Sequence, residues 1–327
     1  MTVLEPNGAT KTPTMETDYY YDALDNMRSV NQCGSTCPST IAVARSFTYD
    51  SLSRLVQVLN PETGWTCYGT TGGATPNGSN CISGYDANGN LTYKTDARKV
   101  VVSYSYDALN RLLSKSYSND ASNTPSSCYQ YDTSSVANSV GRLTNQWTQS
   151  ASAGVCATPT AAGVWTRRSI LAYDPMGRIL NEQQCTPSNC KSGTPYTPAY
   201  TYDLAGNPIT FTNGIATTPT INTLYFTNSF DAAGHLQTLT SNWNDSAHPP
   251  QLFSAQTALS TPCSQGSSFA YAPFGGLMNA TFGKELTLNR TFDSRLRTTC
   301  EIDTGSIVAS PTSGSATVTI TGSEQQQ

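Results

Sequence analysis

Aromatic and small polar residues alternate in short runs along much of the chain: Tyr19 and Tyr21, Phe47 and Tyr49, Tyr104 and Tyr106, Tyr129 and Tyr131, Tyr200 and Tyr202, Phe269 and Tyr271. A spacing of two puts each pair on one face of a β-strand. Downstream of these runs a basic or polar residue precedes an aliphatic one, at Arg54-Leu55, Asn90-Leu91, Arg111-Leu112, Arg142-Leu143, Arg178-Ile179 and His235-Leu236. That aliphatic can pack beside the aromatics across a hairpin. No window carries the 3.6-residue apolar stripe of an amphipathic helix, and Gly, Pro and Asn interrupt every stretch long enough to hold one. The pattern predicts an all-β protein made of hairpins.

Between the two half-patterns lies a repeated punctuation mark, an aromatic residue followed by Asp. It occurs at Tyr21-Asp22, Tyr49-Asp50, Tyr85-Asp86, Tyr106-Asp107, Tyr131-Asp132, Tyr173-Asp174, Tyr202-Asp203, Phe230-Asp231 and Phe292-Asp293. Successive aspartates are 28, 36, 21, 25, 42, 29, 28 and 62 residues apart. The longest interval contains Tyr271-Ala272-Pro273-Phe274-Gly275, which reads as a copy without its Asp. Such spacing fits a short basic unit with insertions better than a strict period. Three residues after the Asp stands Gly89, Gly177, Gly206 or Gly234, and Asn110 in one copy. Asp at the first turn position bonds backbone amides, and Gly or Asn accepts the positive φ that closes a three-residue hairpin loop with a bulge. Each copy is therefore expected to be a hairpin tip. Asp25 and Ser53 at the Gly place are weaker versions, and Asp293-Ser294-Arg295-Leu296 is expected to be one residue short.

The segments Tyr104-Ser105-Tyr106-Asp107-Ala108-Leu109-Asn110-Arg111-Leu112, Tyr173-Asp174-Pro175-Met176-Gly177-Arg178-Ile179 and Tyr202-Asp203-Leu204-Ala205-Gly206-Asn207 resemble the Tyr-Asp (YD) repeats of the RHS family. That family includes the shells of bacterial polymorphic toxins and the YD shell of teneurins. The resemblance covers about residues 15 to 299 and implies a curved or spiral sheet of successive hairpins, part of a hollow shell. In toxin members such a shell encloses a C-terminal cargo; in teneurins and wall-associated relatives it belongs to a cell-surface protein. The expected organisation is a lead-in or partial repeat at 1–14, a hairpin array at 15–300 and a polar tail at 301–327 ending in a truncated strand. Toxin members also carry a Pro-x-x-x-x-Asp-Pro-x-Gly self-cleavage motif. Asp174-Pro175-Met176-Gly177 matches its end, but Ser169 stands where the leading Pro belongs, so an ordinary turn is expected there.

Composition narrows the setting. Charged residues make up 12% of the chain and the net charge is -4, about half the charge content of an average globular protein. Nucleic-acid binders need clustered Lys and Arg, which are absent here. No apolar run reaches the ~20 residues of a bilayer-spanning helix. The N-terminus has neither the basic start nor the apolar core of a secretory signal. Yet ten cysteines occur, Cys33, Cys37, Cys67, Cys81, Cys128, Cys156, Cys185, Cys190, Cys263 and Cys300, and an even count in a Ser- and Thr-rich chain points to an oxidising compartment. The chain is thus expected to be a segment of an exported, extracellular or cell-surface protein whose export signal lies outside it. Sequential pairing of the cysteines, across the open ends of hairpins, is the favoured connectivity; Cys33 with Cys37 and Cys185 with Cys190 are too far apart in sequence to make a usual four-thiolate zinc site.

No constellation calls for a catalyst or a cofactor. His235 stands where sister repeats have Arg, and His248 lies before two prolines near Asp245; neither is accompanied by a nucleophile elbow. The expected role is non-enzymatic, a structural segment that encloses or presents a cargo, with the rest of the parent polypeptide or that cargo as partner. The alternative is an adhesin binding a cell-surface glycan through loops between repeats. Trp65, Trp147, Trp165 and Trp243 lie outside the turn motif and are the expected exposed contacts, whereas the tyrosine pairs are expected to pack.

Overall fold

The computed structural model describes the chain except residues 7–12, 34–40, 151–154, 162, 217–222, 244–248, 257–262, 264–268, 284–285, 310–315 and 325–327. Cys37, Asp245 and His248 fall outside the described residues. Two compact units emerge: residues 1–133, 140–168 and 186–193 form one, and residues 134–139, 169–185 and 194–327 the other.

In the first unit the strands Thr2–Pro6, Pro13–Tyr21, Met27–Cys33, Ile41–Tyr49, Leu55–Asn60, Gly64–Cys67, Tyr93–Thr95, Val101–Tyr106, Leu112–Ser118, Ser126–Tyr131 and Leu143–Gln149 lie side by side in chain order. Each pairs antiparallel with the next. In the second unit a sheet runs, again in chain order, from Tyr200–Tyr202 to Ala316–Glu324. The tail takes part: Thr298–Ala309 pairs along its length with Ala316–Glu324. The helical content among the described residues is one short turn, Pro187–Ser192. Most strands find their partner across a short connection, as local signals can build; longer insertions separate Gly64–Cys67 from Tyr93–Thr95 and Gln251–Ala255 from Asn279–Phe282.

The aromatic-Asp tips share one geometry. At Asp22, Asp50, Asp86, Asp107, Asp174, Asp203, Asp231 and Asp293 the aspartate N–H donates to the carbonyl four residues on, at 2.8–3.0 Å, and its own carbonyl accepts the N–H three residues on, at 2.9–3.2 Å. The register slips by one residue just before the aromatic at Tyr21, Tyr49, Tyr106, Tyr131, Tyr202, Phe230 and Phe292, the bulge that a three-residue loop requires. Ala272 makes the same backbone turn with Gly275 and Gly276. Asp132 differs: its N–H reaches Arg142 across an insertion, and Gly141 donates to its carboxylate.

One sequence expectation is corrected. The turn at Asp293 is not short: Leu296 occupies the position of Gly89 or Gly177, at φ +64°, and Arg297 makes the ion pair made elsewhere by Arg111. A leucine there sits in the left-handed region that costs an L-residue about 1–2 kcal/mol, and its side chain is 56% exposed and so returns little by burial. Leu296→Gly is therefore expected to stabilise the second unit, by about 1 kcal/mol, as an upward shift of its denaturant midpoint.

Two further turns of the same kind escaped the aromatic-Asp pattern. Asp96, after Thr95, bonds the N–H groups of Arg98 and Val100, and Asp120, after Asn119, bonds those of Ser122 and Thr124. Lys99 and Asn123 take the positive φ at these turns. Both close the edge of the sheet opposite to the aromatic-Asp tips.

The two faces of the first unit's sheet are unequal. Cross-strand pairing puts Gln57, Cys67 and Thr95 in one row and Ser114, Cys128 and Trp147 in another on the same face, and all six are buried. They are covered by insertions rather than by a second sheet. The Cys67–Cys81 bond holds residues 69–84 over this face, where Gln57 donates to the Gly78 carbonyl at 3.0 Å and Thr95 to that of Gly69 at 2.8 Å. The Cys128–Cys156 bond brings down the next insertion, whose Cys156 and Ala161 pack with Trp147 and Val164. Trp147 is 6% exposed; the expectation that it is a surface contact is overturned, because the insertion it anchors covers it.

Candidate functional site

The feature that recurs is the junction between one aromatic-Asp turn and the next. In each turn the Asp Oδ1 accepts backbone N–H groups, as from Leu109 and Arg111 onto Asp107, both at 2.9 Å. Its Oδ2 takes the side chain four residues on: Arg54 to Asp50 and Arg111 to Asp107 at 2.7 Å, and Arg178 to Asp174. Asn26, Asn90 and Asn207 do the same with amides, and His235 Nδ1 lies 3.0 Å from Asp231 Oδ2.

The same side chain then reaches the following turn. Arg54 lies 4.7 Å from the ring centre of Tyr85, Arg111 4.4 Å from that of Tyr131 and Arg178 4.7 Å from that of Tyr202; the His235 ring stacks on Tyr271 at 4.6 Å. Arg111 adds a second ion pair, 2.6 Å to Asp132. The tyrosine answers with its hydroxyl: Tyr85 donates to the Leu55 carbonyl, Tyr106 to Leu91, Tyr202 to Ile179 and Tyr271 to Leu236. Each acceptor belongs to the aliphatic residue of the preceding repeat. Tyr, Asp, Arg and Leu therefore recur together because one repeat's Asp and Arg close its turn, while its Arg and its Leu carbonyl hold the next repeat's Tyr.

The electrostatics follow from these bonds. The carboxyls of Asp22, Asp86 and Asp203 are held below the ordinary range chiefly by their asparagine partners. Those of Asp50, Asp107, Asp231 and Asp293 are held down chiefly by the N–H four residues on. Burial pushes Asp174 upward, but the N–H and guanidinium of Arg178 outweigh it. Burial raises the phenols of Tyr85, Tyr106, Tyr131, Tyr202 and Tyr271. A carboxyl more acidic in the folded than in the unfolded chain stabilises above the unfolded value, near ~3.9, and that contribution is lost as pH falls through the folded one. Stability is expected to be flat from neutrality down to about pH 5 and to fall steeply below about pH 4, measured as denaturant midpoint against pH.

The remaining candidates fall into place around this rail. Asp174-Pro175-Met176-Gly177 is an ordinary turn, with both Asp174 oxygens engaged by Arg178. Beside His235 lies an open groove of about 380 Å³ lined by Asp231, His235, Gln237, Phe269, Tyr271 and Pro273 among others. None of its described lining residues is Ser, Thr or Cys. A third disulfide joins Cys263 to Cys300, and Cys263 N–H donates to the buried Asn289, which donates in turn to Asn279. Cys33, Cys185 and Cys190 are also disulfide-bonded, which removes them as thiolate ligands. Trp165 and Trp243 are 37% and 39% exposed.

These features define a class, a repeat array of antiparallel hairpins whose aspartate turns are clamped to their neighbours. Residues 85–122 match the family described as RHS Repeat; they hold two consecutive turns of the rail, and the same turn recurs on either side. Two solved structures share the fold. A crystal structure of TcdB2-TccC3-Cdc42 is 13% identical, with a TM-score of 0.57 over 88% of this chain and 13% of that one. A crystal structure of TcdB2-TccC3 without its hypervariable C-terminal region is 12% identical, with a TM-score of 0.58 over 90% of this chain and 13% of that one. The chain thus spans about an eighth of the length of these structures. No curated protein matches it in sequence.

Proposed function

We propose that the chain is a stretch of wall in a secreted or cell-surface RHS protein, a non-enzymatic structural segment that encloses or presents a cargo encoded elsewhere. The observation that carries this reading is the clamp between successive turns: its side chains are spent on joining repeat to repeat, as a wall requires. The insertions pinned by disulfides support an oxidising, extracellular setting. Among the described residues no helix is long and apolar enough to cross a membrane.

The test is protection. When the chain is expressed with the polypeptide that adjoins it in its parent open reading frame, the adjoining segment should resist protease while the array is folded and be degraded when Trp147→Ala unfolds the wall. Equal degradation in both would overturn the proposal, as would turnover of a substrate by the purified chain that one substitution abolished. A second reading, glycan adhesion through loops, draws on the exposed Trp165 and Trp243. It expects a polysaccharide pull-down that is lost on Trp165→Ala or Trp243→Ala.

A further inference from the structure

Three Asn-Gly steps lie among the described residues, Asn77-Gly78, Asn88-Gly89 and Asn213-Gly214. Glycine after asparagine leaves the backbone nitrogen free to approach the side-chain carbonyl, because no Cβ stands in the way. Asn77-Gly78 sits in the insertion closed by the Cys67–Cys81 bond, and both residues are exposed. Asn77 Oδ1 accepts the Ser79 N–H at 2.9 Å and the Ser79 hydroxyl at 3.0 Å, and the Asn77 N–H donates to Asn80 Oδ1 at 2.9 Å. Two donors on one carbonyl oxygen draw electrons from Cγ and hold the carboxamide over the following peptide unit, as in an Asx turn. The Gly78 N–H donates to none of the described residues, while its carbonyl is fixed by Gln57 Nε2 at 3.0 Å.

The other two steps each lack part of this arrangement. The Gly89 N–H closes its turn by donating to the Asp86 carbonyl at 3.1 Å, so that nitrogen is committed. The Asp86 carboxylate, which accepts the N–H groups of Asn88 and Asn90, also opposes removal of a further proton beside it. Gly214 is buried, and a Cβ there would stand 2.5 Å from the Pro198 nitrogen; the backbone that would have to move is crowded and shut off from water. The Asn213 carboxamide is pinned as well, by the N–H groups of Ile215 and Leu224 at 3.1 and 3.2 Å.

We propose that Asn77 is a site of spontaneous covalent modification, converted in the folded protein to aspartate and isoaspartate through a cyclic imide with Gly78. The Gly78 nitrogen gives up its proton and bonds to Asn77 Cγ; the Cγ–Nδ2 bond breaks, and Nδ2 leaves with that proton as ammonia. Water then opens the ring. Hydrolysis of the new Cγ–N bond leaves aspartate, and hydrolysis of the original peptide bond leaves isoaspartate, in which the chain runs through the former side chain. Either product adds a negative charge to the insertion, and isoaspartate lengthens its backbone by one carbon beside the carbonyl that satisfies the buried Gln57 amide. A buried amide that loses its partner keeps its desolvation cost, so the cover over this row of the sheet loosens as the protein ages. The site acts in the same way whether or not the wall encloses anything.

Ageing of the purified full chain in mildly alkaline buffer tests this, followed by digestion in acid and mass mapping of the peptides that carry Asn77, Asn88 and Asn213. In the folded chain Asn77 should lose its amide at least tenfold faster than either of the others, whereas in the reduced chain unfolded in guanidinium the three rates should agree within threefold. Ser79→Ala, with an unchanged melting curve, should slow the reaction at Asn77 at least threefold. An Asn77 that stays intact in the folded chain, or that reacts no faster there than Asn88 or Asn213, overturns the proposal, and the same tenfold spread in the unfolded chain overturns the part given to the fold. An unchanged rate in Ser79→Ala overturns the part given to the hydroxyl. The deamidated fraction, separated by anion exchange, should unfold at a lower denaturant midpoint than fresh protein; equal midpoints overturn the loosening of the cover.

Discussion

Replacing Trp147 with alanine is expected to cost the first unit about 3–5 kcal/mol, the range for emptying a buried large aromatic site. The side chain is 6% exposed and packs in the cluster formed with Cys128 and Val164, against which Cys156, Ala161 and Cys190 lie. Its indole N–H points at Gln149 Oε1, 3.3 Å away, and that same oxygen takes the Ala157 N–H at 2.8 Å while the Gln149 amide donates to the Val155 carbonyl. The insertion is thus held by one disulfide, one indole and one buried amide that acts through both its ends. Removing the indole leaves a cavity too broad for a single-layer sheet to collapse around, and it unseats the insertion from Gln149. Denaturant unfolding followed by far-UV circular dichroism measures the loss. Trp147→Phe should recover a substantial part of it, and a loss below about 1 kcal/mol would show that the insertion is not the cover the geometry makes it.

Arg111→Ala should cost about 2–3 kcal/mol, the largest effect expected from one residue of the turn rail. One guanidinium there binds Asp107 of its own turn at 2.7 Å, binds Asp132 of the next at 2.6 Å and lies on the Tyr131 ring. A charge-assisted hydrogen bond contributes roughly 1.5–3 kcal/mol and a cation over an aromatic ring about 0.5–1 kcal/mol. The sum is discounted because the Arg111 and Asp132 side chains are 23% and 35% exposed and solvent screens such pairs. Arg111→Lys should recover less than half, since an ammonium cannot meet two carboxylates and lie flat on a ring at once. A readout that simple loss of packing would not move is the acidity of Asp132: Arg111 is the first cause of its lowered pKa. In Arg111→Ala the Asp132 carboxyl should titrate nearer the ordinary range, followed by its side-chain carbon resonance.

Much of this protein is written locally. Tyr106-Asp107 followed by Asn110, Arg111 and Leu112 contains its own turn, because the aspartate bonds the amides beside it, the asparagine accepts positive φ, and the register slip before Tyr106 places it opposite Leu112. All of that lies within seven residues, so pattern and turn chemistry suffice to read it. The turns at Asp96 and Asp120 were legible in principle from Asp followed three residues later by Lys99 and Asn123. They were hidden because Thr95 and Asn119 precede them where other turns have an aromatic. Leu296 departs from the pattern for the reverse reason: its neighbours enforce a conformation that its own side chain disfavours.

Alternation of residues along a strand says that two faces exist and cannot say which will be covered. Gln57, Thr95, Ser114 and Gln149 are polar, yet they line the buried face, because disulfide-held insertions settle on them and supply partners for Gln57, Thr95 and Gln149, while the Ser114 hydroxyl pairs with Ser105 on the neighbouring strand. The tyrosines on the other face read as the natural core, and they are the ones left half-open. The partnership of each Arg with the following repeat's Tyr was equally out of reach, since it joins residues such as Arg54 and Tyr85 through strand pairing rather than through the chain. Turn chemistry acts over a few residues and is therefore set by the residue order; the burial of a sheet face and the clamp between repeats depend on what the folded chain brings alongside, and only the tertiary structure decides them.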